Sequence, residues 1–200
     1  ITMNSSRSVL YGYFSAKRQI IGRPNSSLEE LWKRIIITDQ ITYSRGQILE
    51  MLQPLLKPIL CADIPLLTPI CPDRELSSEL KATLLRIGHY IVCQCNSRYQ
   101  DKNWSVKKLI ELTTRLITSG YSICFTGGVN DITYLHQIIE KLPKEKTFIA
   151  AGQASFGQTA RIIQNAVAYI GVDTATSHVA AATGIPCICL YGPTAVDIWG

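Results

Sequence analysis

Small polar residues cluster in the segment 171–186, Gly-Val-Asp-Thr-Ala-Thr-Ser-His-Val-Ala-Ala-Ala-Thr-Gly-Ile-Pro, which has the pattern of a strand end, a loop and a helix start. A helix start offers unpaired N–H groups and the positive end of the helix dipole, and both attract phosphate. Thr174 and Thr176 add hydroxyl donors, and His178 falls in the first helical turn. The segment therefore predicts a phosphate site. The alternative is that Asp173 or Thr174 only caps the helix and that His178 is a surface residue.

A second candidate is Lys102, in the loop Asn96-Ser-Arg-Tyr-Gln-Asp-Lys-Asn-Trp104. A lysine is a mobile point charge that suits phosphate, although a loop lysine is more commonly just solvated. A third polar loop, Gln153-Ala-Ser-Phe156, precedes a helical pattern that Ser155 can cap and in which we expect Phe156, Ala160 and Ile163 to face inward.

These loops need a scaffold, and from His89 onward short β-rich runs alternate with amphipathic helical patterns. The predicted strands are 90–95, 121–126, 147–151, 168–172 and 187–191. Five strands separated by single helices require parallel pairing with right-handed crossovers. We therefore expect an α/β fold with a doubly wound, Rossmann-like parallel sheet, whose ligands lie beyond the carboxyl ends of the strands. The loops at those ends start at Asn96, Gly127, Gly152, Asp173 and Gly192.

The first 88 residues do not show this alternation of strand and helix patterns. Helices are plausible at 28–37 and 47–60, and five prolines punctuate the stretch between residues 54 and 72. We predict that residues 1–88 are the end of a preceding domain plus a linker, and that residues 89–200 form an incomplete second domain. Because the chain opens at Ile1 rather than Met and stops abruptly at Gly200, we expect a fragment.

The composition excludes several classes of protein. With 46% apolar and 18% charged residues among 200, the chain can bury a core and is neither disordered nor collagen-like. No run reaches the roughly 18 apolar residues of a membrane span, and no signal peptide is recognisable. Residues 1–60 hold eight basic against four acidic side chains, so they carry most of the net charge of +5. A basic end favours a phosphorylated ligand or an anionic lipid surface, with nucleic acid the weakest option.

Seven cysteines, four of them in the pairs Cys93/Cys95 and Cys187/Cys189, occur in apolar runs. Two strand residues two apart share a face, and their spacing suits neither a disulfide between them nor a zinc knuckle. The sequence predicts buried, reduced thiols in a reducing compartment.

The segment Asp173-Thr-Ala-Thr-Ser-His178, with Ala-Ala-Ala-Thr-Gly-Ile-Pro after it and Leu190-Tyr-Gly-Pro-Thr194 beyond, resembles the nucleotide-sugar signature of glycosyltransferase family 9. These are the lipopolysaccharide heptosyltransferases, with a GT-B fold of two Rossmann-like domains. The resemblance implies an inverting transfer of a heptose from an ADP-heptose-like donor to a lipopolysaccharide core or related glycan. The alternatives are a non-catalytic nucleotide-binding module and a GT-B-related sugar epimerase.

The resemblance also assigns roles to residues. It implies that Lys102 binds the donor diphosphate, that Ala154 and Ser155 line the adenine, and that the donor is further bound by Asp173, Thr174, Ala175 and His178. Asn130 or Asp131 matches a position near the ribose, with a helix cap as the preferred alternative. Two departures stand out: Ala175 replaces a glycine, and in Gln47-Ile-Leu-Glu-Met51 only Glu50 of a His-x-x-Glu-Arg stretch remains.

The family's general base is a carboxylate of the first domain, so we expect it upstream of Ile1 and expect this chain alone to be inactive. The donor signature offers no acidic metal cluster, which implies stabilisation by cationic and N–H groups without a metal or other cofactor. The implied partners are a nucleotide sugar and a lipid-linked or glycan acceptor, and not nucleic acid. The implied location is the cytoplasm, with room for peripheral contact at the inner membrane surface.

Overall fold

The computed structural model describes residues 75–199 and two short strands before them. The chain divides into two compact units, one of residues 1–66 with 197–200 and one of residues 67–196. In the first unit, β1 (Ile21–Gly22) pairs in parallel with β2 (Asp39–Gln40). The helices predicted at 28–37 and 47–60, and with them Gln47, Glu50 and Met51, lie outside the described residues. The domain boundary between residues 88 and 89 stays a prediction.

The second unit contains a five-stranded parallel sheet in the order β5-β4-β3-β6-β7. The chain runs outward from β3 to one edge and returns to build the other half, which confirms the predicted doubly wound topology. The strands are β3 (Tyr90–Gln94), β4 (Ser122–Phe125), β5 (Thr147–Ile149), β6 (Ala168–Val172) and β7 (Cys187–Leu190). The helices are α1 (Ser78–Ile87), α2 (Val106–Thr118), α3 (Ile132–Ile139), α4 (Phe156–Gln164), α5 (Ala175–Thr183) and α6 (Val196–Trp199).

The helix ends follow from the side chains at their caps. Ser105 and Ser155 accept hydrogen bonds from backbone N–H groups at the starts of α2 and α4, and for Ser155 this confirms the predicted cap. At the end of α5, Gly184 adopts a left-handed conformation with φ of 77°, which glycine reaches without a steric cost.

Helix α1 is an element that the sequence reading missed. Ser77 caps it, and Leu80, Leu84 and Ile87 form its buried stripe. The spacing of these residues is helical, but the many prolines just before them favoured a linker.

The core lies on both faces of the sheet, because alternate residues of a strand point to opposite sides. Val92, Cys124 and Tyr169 belong to one buried cluster with α4 and α5. Ile123 and Phe125 belong to the other, which packs against α2 and α3. Each strand therefore contributes to two apolar layers, and the loops at its carboxyl end are held by both. Within residues 75–199, each helix is too short or too polar to cross a membrane.

Candidate functional site

Lys102 and Asp173 meet at the centre of the sheet's carboxyl edge. Lys102 lies in a 3-10 turn (Gln100–Lys102) of the loop after β3, and Asp173 directly follows β6. Strands β3 and β6 are parallel neighbours, and the order in which strands are added to the sheet reverses between them, so this is the topological switch point of the sheet. The Lys102 Nζ atom lies 2.6 Å from Asp173 Oδ2. The structure thus brings together two of the predicted site residues.

The Asp173 carboxylate is held from several directions. Its side chain is only 6% exposed, which by itself raises the pKa of the carboxyl. Hydrogen bonds from Lys102 and Thr194, and the positive charge of Lys102, outweigh that burial and hold the pKa below its ordinary value. His178 Nε2 lies 3.5 Å from the other carboxylate oxygen, Oδ1. Asp173 is therefore ionised, and its carboxylate holds the neighbouring side chains in place rather than accepting a proton.

The start of α5 is not capped in the way the sequence alternative supposed. The Thr174 side chain accepts no hydrogen bond from a backbone N–H group of the helix, and the Asp173 carboxylate is engaged by Lys102. Instead, the backbone N–H of Thr174 donates to Ser177 Oγ, which donates in turn to the Thr174 carbonyl at 2.7 Å. Ala175 is the first residue of α5 and exposed. A helical residue has negative φ, so alanine in place of glycine brings no backbone strain.

A hydroxyl chain lies behind this helix start, and the sequence reading missed it. Tyr169 Oη and Thr176 Oγ1 are 2.9 Å apart, and Thr176 Oγ1 and Thr174 Oγ1 are also 2.9 Å apart. Thr194, in the loop after β7, hydrogen-bonds Asp173. The sequence placed it in the family motif but did not indicate this contact. The sequence does hold one indication of this hydroxyl chain. Tyr169 and Gly171 are two residues apart in a predicted strand, so both face the same side of β6.

The loop after β7 packs tightly on the lysine loop. A Cβ atom added at Gly192 would lie 3.1 Å from the carbonyl oxygen of Asp101 and 3.5 Å from Lys102 Cα. The absence of a side chain at residue 192 therefore allows the loops after β3 and β7 to approach each other.

The loops after β4 and β5 also lie together, through the backbone hydrogen bond from Gly152 N–H to the Gly127 carbonyl. Asp131 is a structural residue here, since it accepts hydrogen bonds from the Gly128 N–H and the Asn96 side chain. Asp131 occupies the position before α3, but its side chain makes no capping hydrogen bond to that helix. Nor does Asn130 cap α3, which begins after a 3-10 turn (Val129–Asp131).

At the start of α4, Ser155 forms a capping box with Gln158 and is thereby used structurally. Ala154 is half-buried against the core. Phe156, expected to face inward, is instead 60% exposed, because it is the first residue of α4. The structure contains no contact that ties Ala154 or Ser155 to Lys102 and Asp173, within the part of the chain that it describes.

The described cysteines are free thiols. Cys93, Cys95 and Cys124 are buried as predicted, and the Cys93 and Cys95 sulfurs lie 3.3 Å apart. Cys187 and Cys189 are only half-buried, because β7 is an edge strand covered on fewer sides. Among residues 75–199 no three His, Cys, Asp or Glu side chains lie close enough to hold a metal ion.

The fold and the position of this site define a class of protein. Doubly wound parallel α/β proteins bind their ligands at the carboxyl edge of the sheet, at the switch point between its halves. A cationic side chain beside a helix N-terminus at that point is suited to a phosphorylated ligand.

Comparison with known proteins identifies the family. Residues 68–200 match the family model described as glycosyltransferase family 9 (heptosyltransferase). The chain belongs to this family, which confirms the family predicted from the sequence.

Two relatives and one solved structure describe the likeness further. Lipopolysaccharide heptosyltransferase 3 of Escherichia coli K12 is 30% identical over 128 residues, 63% of this chain and 37% of that protein. Lipopolysaccharide heptosyltransferase 2 of Salmonella typhimurium LT2 is 30% identical over 148 residues, 72% of this chain and 40% of its own length. The structure of E. coli ADP-heptose lps heptosyltransferase II superimposes with a TM-score of 0.70 at 21% identity, over 98% of this chain and 63% of that one. The chain spans about two fifths of the length of the two relatives and just under two thirds of the solved structure, which confirms the fold.

Proposed function

We propose that this chain binds the nucleotide-sugar donor of a glycosyltransferase that moves a heptose from an ADP-heptose-like donor onto a lipopolysaccharide core or related glycan acceptor. Its membership in glycosyltransferase family 9 supports the reaction class. The names of its relatives support the acceptor, and the name of the solved E. coli enzyme supports ADP-heptose. The observation that carries the proposal is the convergence of Lys102, Asp173 and His178 beside the start of α5.

The chemistry assigned to these residues is stabilisation of a leaving group. In an inverting displacement, the acceptor oxygen forms a bond to the anomeric carbon while the bond from that carbon to the diphosphate breaks. The negative charge of the leaving nucleoside diphosphate is then met by Lys102, His178 and the N–H groups at the start of α5. Because Lys102 is cationic and the other groups are hydrogen-bond donors, we propose that donor binding requires no metal ion.

Asp173 is not the general base in this scheme. Its carboxylate is paired with Lys102 and its pKa is lowered, so it is a weak proton acceptor. Its role is to hold Lys102 and His178 in place. We propose that the base that deprotonates the acceptor hydroxyl belongs to a segment that precedes these 200 residues.

Domain roles and location follow from the same proposal. Residues 1–88 would belong to the acceptor side and residues 89–200 to the donor side, with Ala154 and Ser155 beside the base and Thr174 and Ala175 beside the diphosphate. The basic excess in residues 1–60 supports contact with an anionic membrane surface from the cytoplasm.

Calorimetric titration of the 200-residue chain with ADP, UDP and GDP tests the proposal. Since the chain matches only part of its relatives, binding rather than turnover is the quantity to measure. We expect saturable binding of ADP in preference to the other two. A chain that is folded by circular dichroism, yet binds none of the three, would contradict the proposed function.

A further inference from the structure

The buried hydroxyl of Tyr169 connects the core of the sheet to the start of α5. Tyr169 is fully buried in β6, a strand with neighbours on both sides. Its ring passes over Gly171, where an added Cβ would lie 2.7 Å from both Tyr169 Cζ and the Gln94 carbonyl oxygen. Gly171 therefore leaves the space through which the phenol reaches Thr176.

The three hydroxyls of Tyr169, Thr176 and Thr174 form two hydrogen bonds in series. Each bond uses one hydroxyl hydrogen, so one hydrogen of the three is left over. The phenol is the end of the chain buried in the core, and burial raises its pKa, which keeps it protonated. A phenol is also a better donor and a poorer acceptor than an aliphatic alcohol. The direction that follows is donation from Tyr169 to Thr176 and from Thr176 to Thr174.

Thr174 lies at the outer end of this chain, directly before α5 and next to Asp173. Its hydroxyl accepts no hydrogen bond from a backbone N–H group of the helix. Thr176, and the Tyr169 phenol itself, thus fix the Thr174 hydroxyl, and the donation series leaves its hydrogen available to an anion.

We propose that Tyr169 is a positioning residue for the donor diphosphate, acting through Thr176 to aim the Thr174 hydroxyl hydrogen at a phosphate oxygen. This inference rests on the proposed function, because it takes the start of α5 as the diphosphate site. No residue of the chain of hydroxyls except Thr174 would touch the ligand.

Tyr169→Phe tests the inference, since it removes one oxygen and keeps the buried ring. We expect ADP binding to the 200-residue chain to weaken about 3- to 10-fold, the effect of one lost or misdirected hydrogen bond. Binding of adenosine, followed by ligand-observed NMR, should not change, because adenosine has no phosphate. In a Thr174→Val background, Tyr169→Phe should cause no further loss of ADP affinity.

Tyr90→Phe is the matched control. Tyr90 is another buried tyrosine of the same sheet, and its hydroxyl donates to the Ile162 carbonyl at 2.8 Å, without a link to Thr174. Its loss should lower the melting temperature to a similar degree as Tyr169→Phe while leaving ADP affinity unchanged.

Three outcomes would overturn the inference: unchanged ADP affinity in Tyr169→Phe, an equal loss for ADP and adenosine, or an independent further loss in the Thr174→Val background. Failure of the proposed function is distinguishable, because the wild-type chain would then bind no nucleoside diphosphate. That result would overturn both proposals together, whereas the other three leave the proposed function intact.

Discussion

Lys102 and Asp173 are 71 residues apart in the chain, and their side chains form a 2.6 Å ion pair where β3 and β6 end. The pair joins the two halves of the sheet at its switch point. Asp173 holds the lysine head group in one position before any ligand arrives. A preorganised cation costs less side-chain entropy on binding than a freely rotating one.

Replacement of Lys102 by alanine should weaken ADP binding by about 1 to 3 kcal/mol, the value of a charge-assisted hydrogen bond. The loss should be smaller in high salt, because screening already weakens the wild-type attraction. Calorimetry at two salt concentrations measures both effects. Lys108→Ala, which removes an exposed lysine of α2, is the matched control and should bind ADP normally. Equal ADP affinities of Lys102→Ala and Lys108→Ala would show that Lys102 does not contribute to the binding site.

Asp173→Asn should destabilise the protein at neutral pH, because it leaves the partly buried Lys102 without its counter-charge. The folded-state pKa of Asp173 lies below its ordinary value of 3.8. Its stabilising contribution is therefore fully present above about pH 4 and is lost as the pH falls through the folded-state pKa. Urea unfolding of wild type and variant from pH 7 to pH 2.5 should show a stability difference that shrinks at the acid end. Asp101→Asn, in an exposed loop position, serves as the comparison. A difference that grows towards low pH would contradict the assignment.

Gly171→Ala should destabilise the protein by about 3 kcal/mol, as overpacking against rigid neighbours does. The new methyl group would collide with the Tyr169 ring and with the Gln94 carbonyl of the adjacent strand. Gly128→Ala is the control, since its Cβ would meet only Asp131 Oδ2, at 3.8 Å. Chemical denaturation of both variants measures the free energy of unfolding. If Gly171→Ala is as stable as Gly128→Ala, the close packing of Tyr169 over β6 is wrong.

Chelation of divalent metals should leave ADP binding unchanged. The groups assigned to the diphosphate are the Lys102 ammonium and hydrogen-bond donors from His178 and the start of α5, none of which needs a metal. Calorimetry with EDTA, and again after addition of excess Mg²⁺, provides the comparison. A large gain in affinity with Mg²⁺ would show that the ion, and not the protein, supplies most of the charge.

Alkylation should distinguish the buried thiols from those of β7. Burial raises the pKa of Cys124 to about 12, and the hydrogen bond with Cys95, together with burial, raises the pKa of Cys93 well above its ordinary value. Since the thiolate is the reactive form, both should resist iodoacetamide at pH 8 in the folded protein. Cys187 and Cys189 are half-buried in the edge strand and should react sooner. Peptide mass spectrometry before and after denaturation measures the order, and fast labelling of Cys124 in the native state would contradict its burial.

The alternation of apolar runs, glycines and capping serines from His89 onward determined the five strands and their helices, because these signals are local. It also determined that Lys102 and Asp173 each follow a strand, and hence that both lie at the carboxyl edge of the sheet. Helix α1 was not predicted, because the prolines that precede it favoured a linker. The exposure of Phe156 was not predicted either, because it depends on the position of this residue in the first turn of α4.

Only the tertiary structure decided how the site residues are connected. The sequence named Lys102, Asp173 and His178 separately, but the distances among them depend on the order of strands and on the loop after β7 that packs at Gly192. The reach of Tyr169 to Thr176 likewise depends on the missing side chain of Gly171 beneath its ring. Local patterns specify elements because their causes lie within a few residues, whereas an ion pair across 71 residues exists only once the whole sheet has formed.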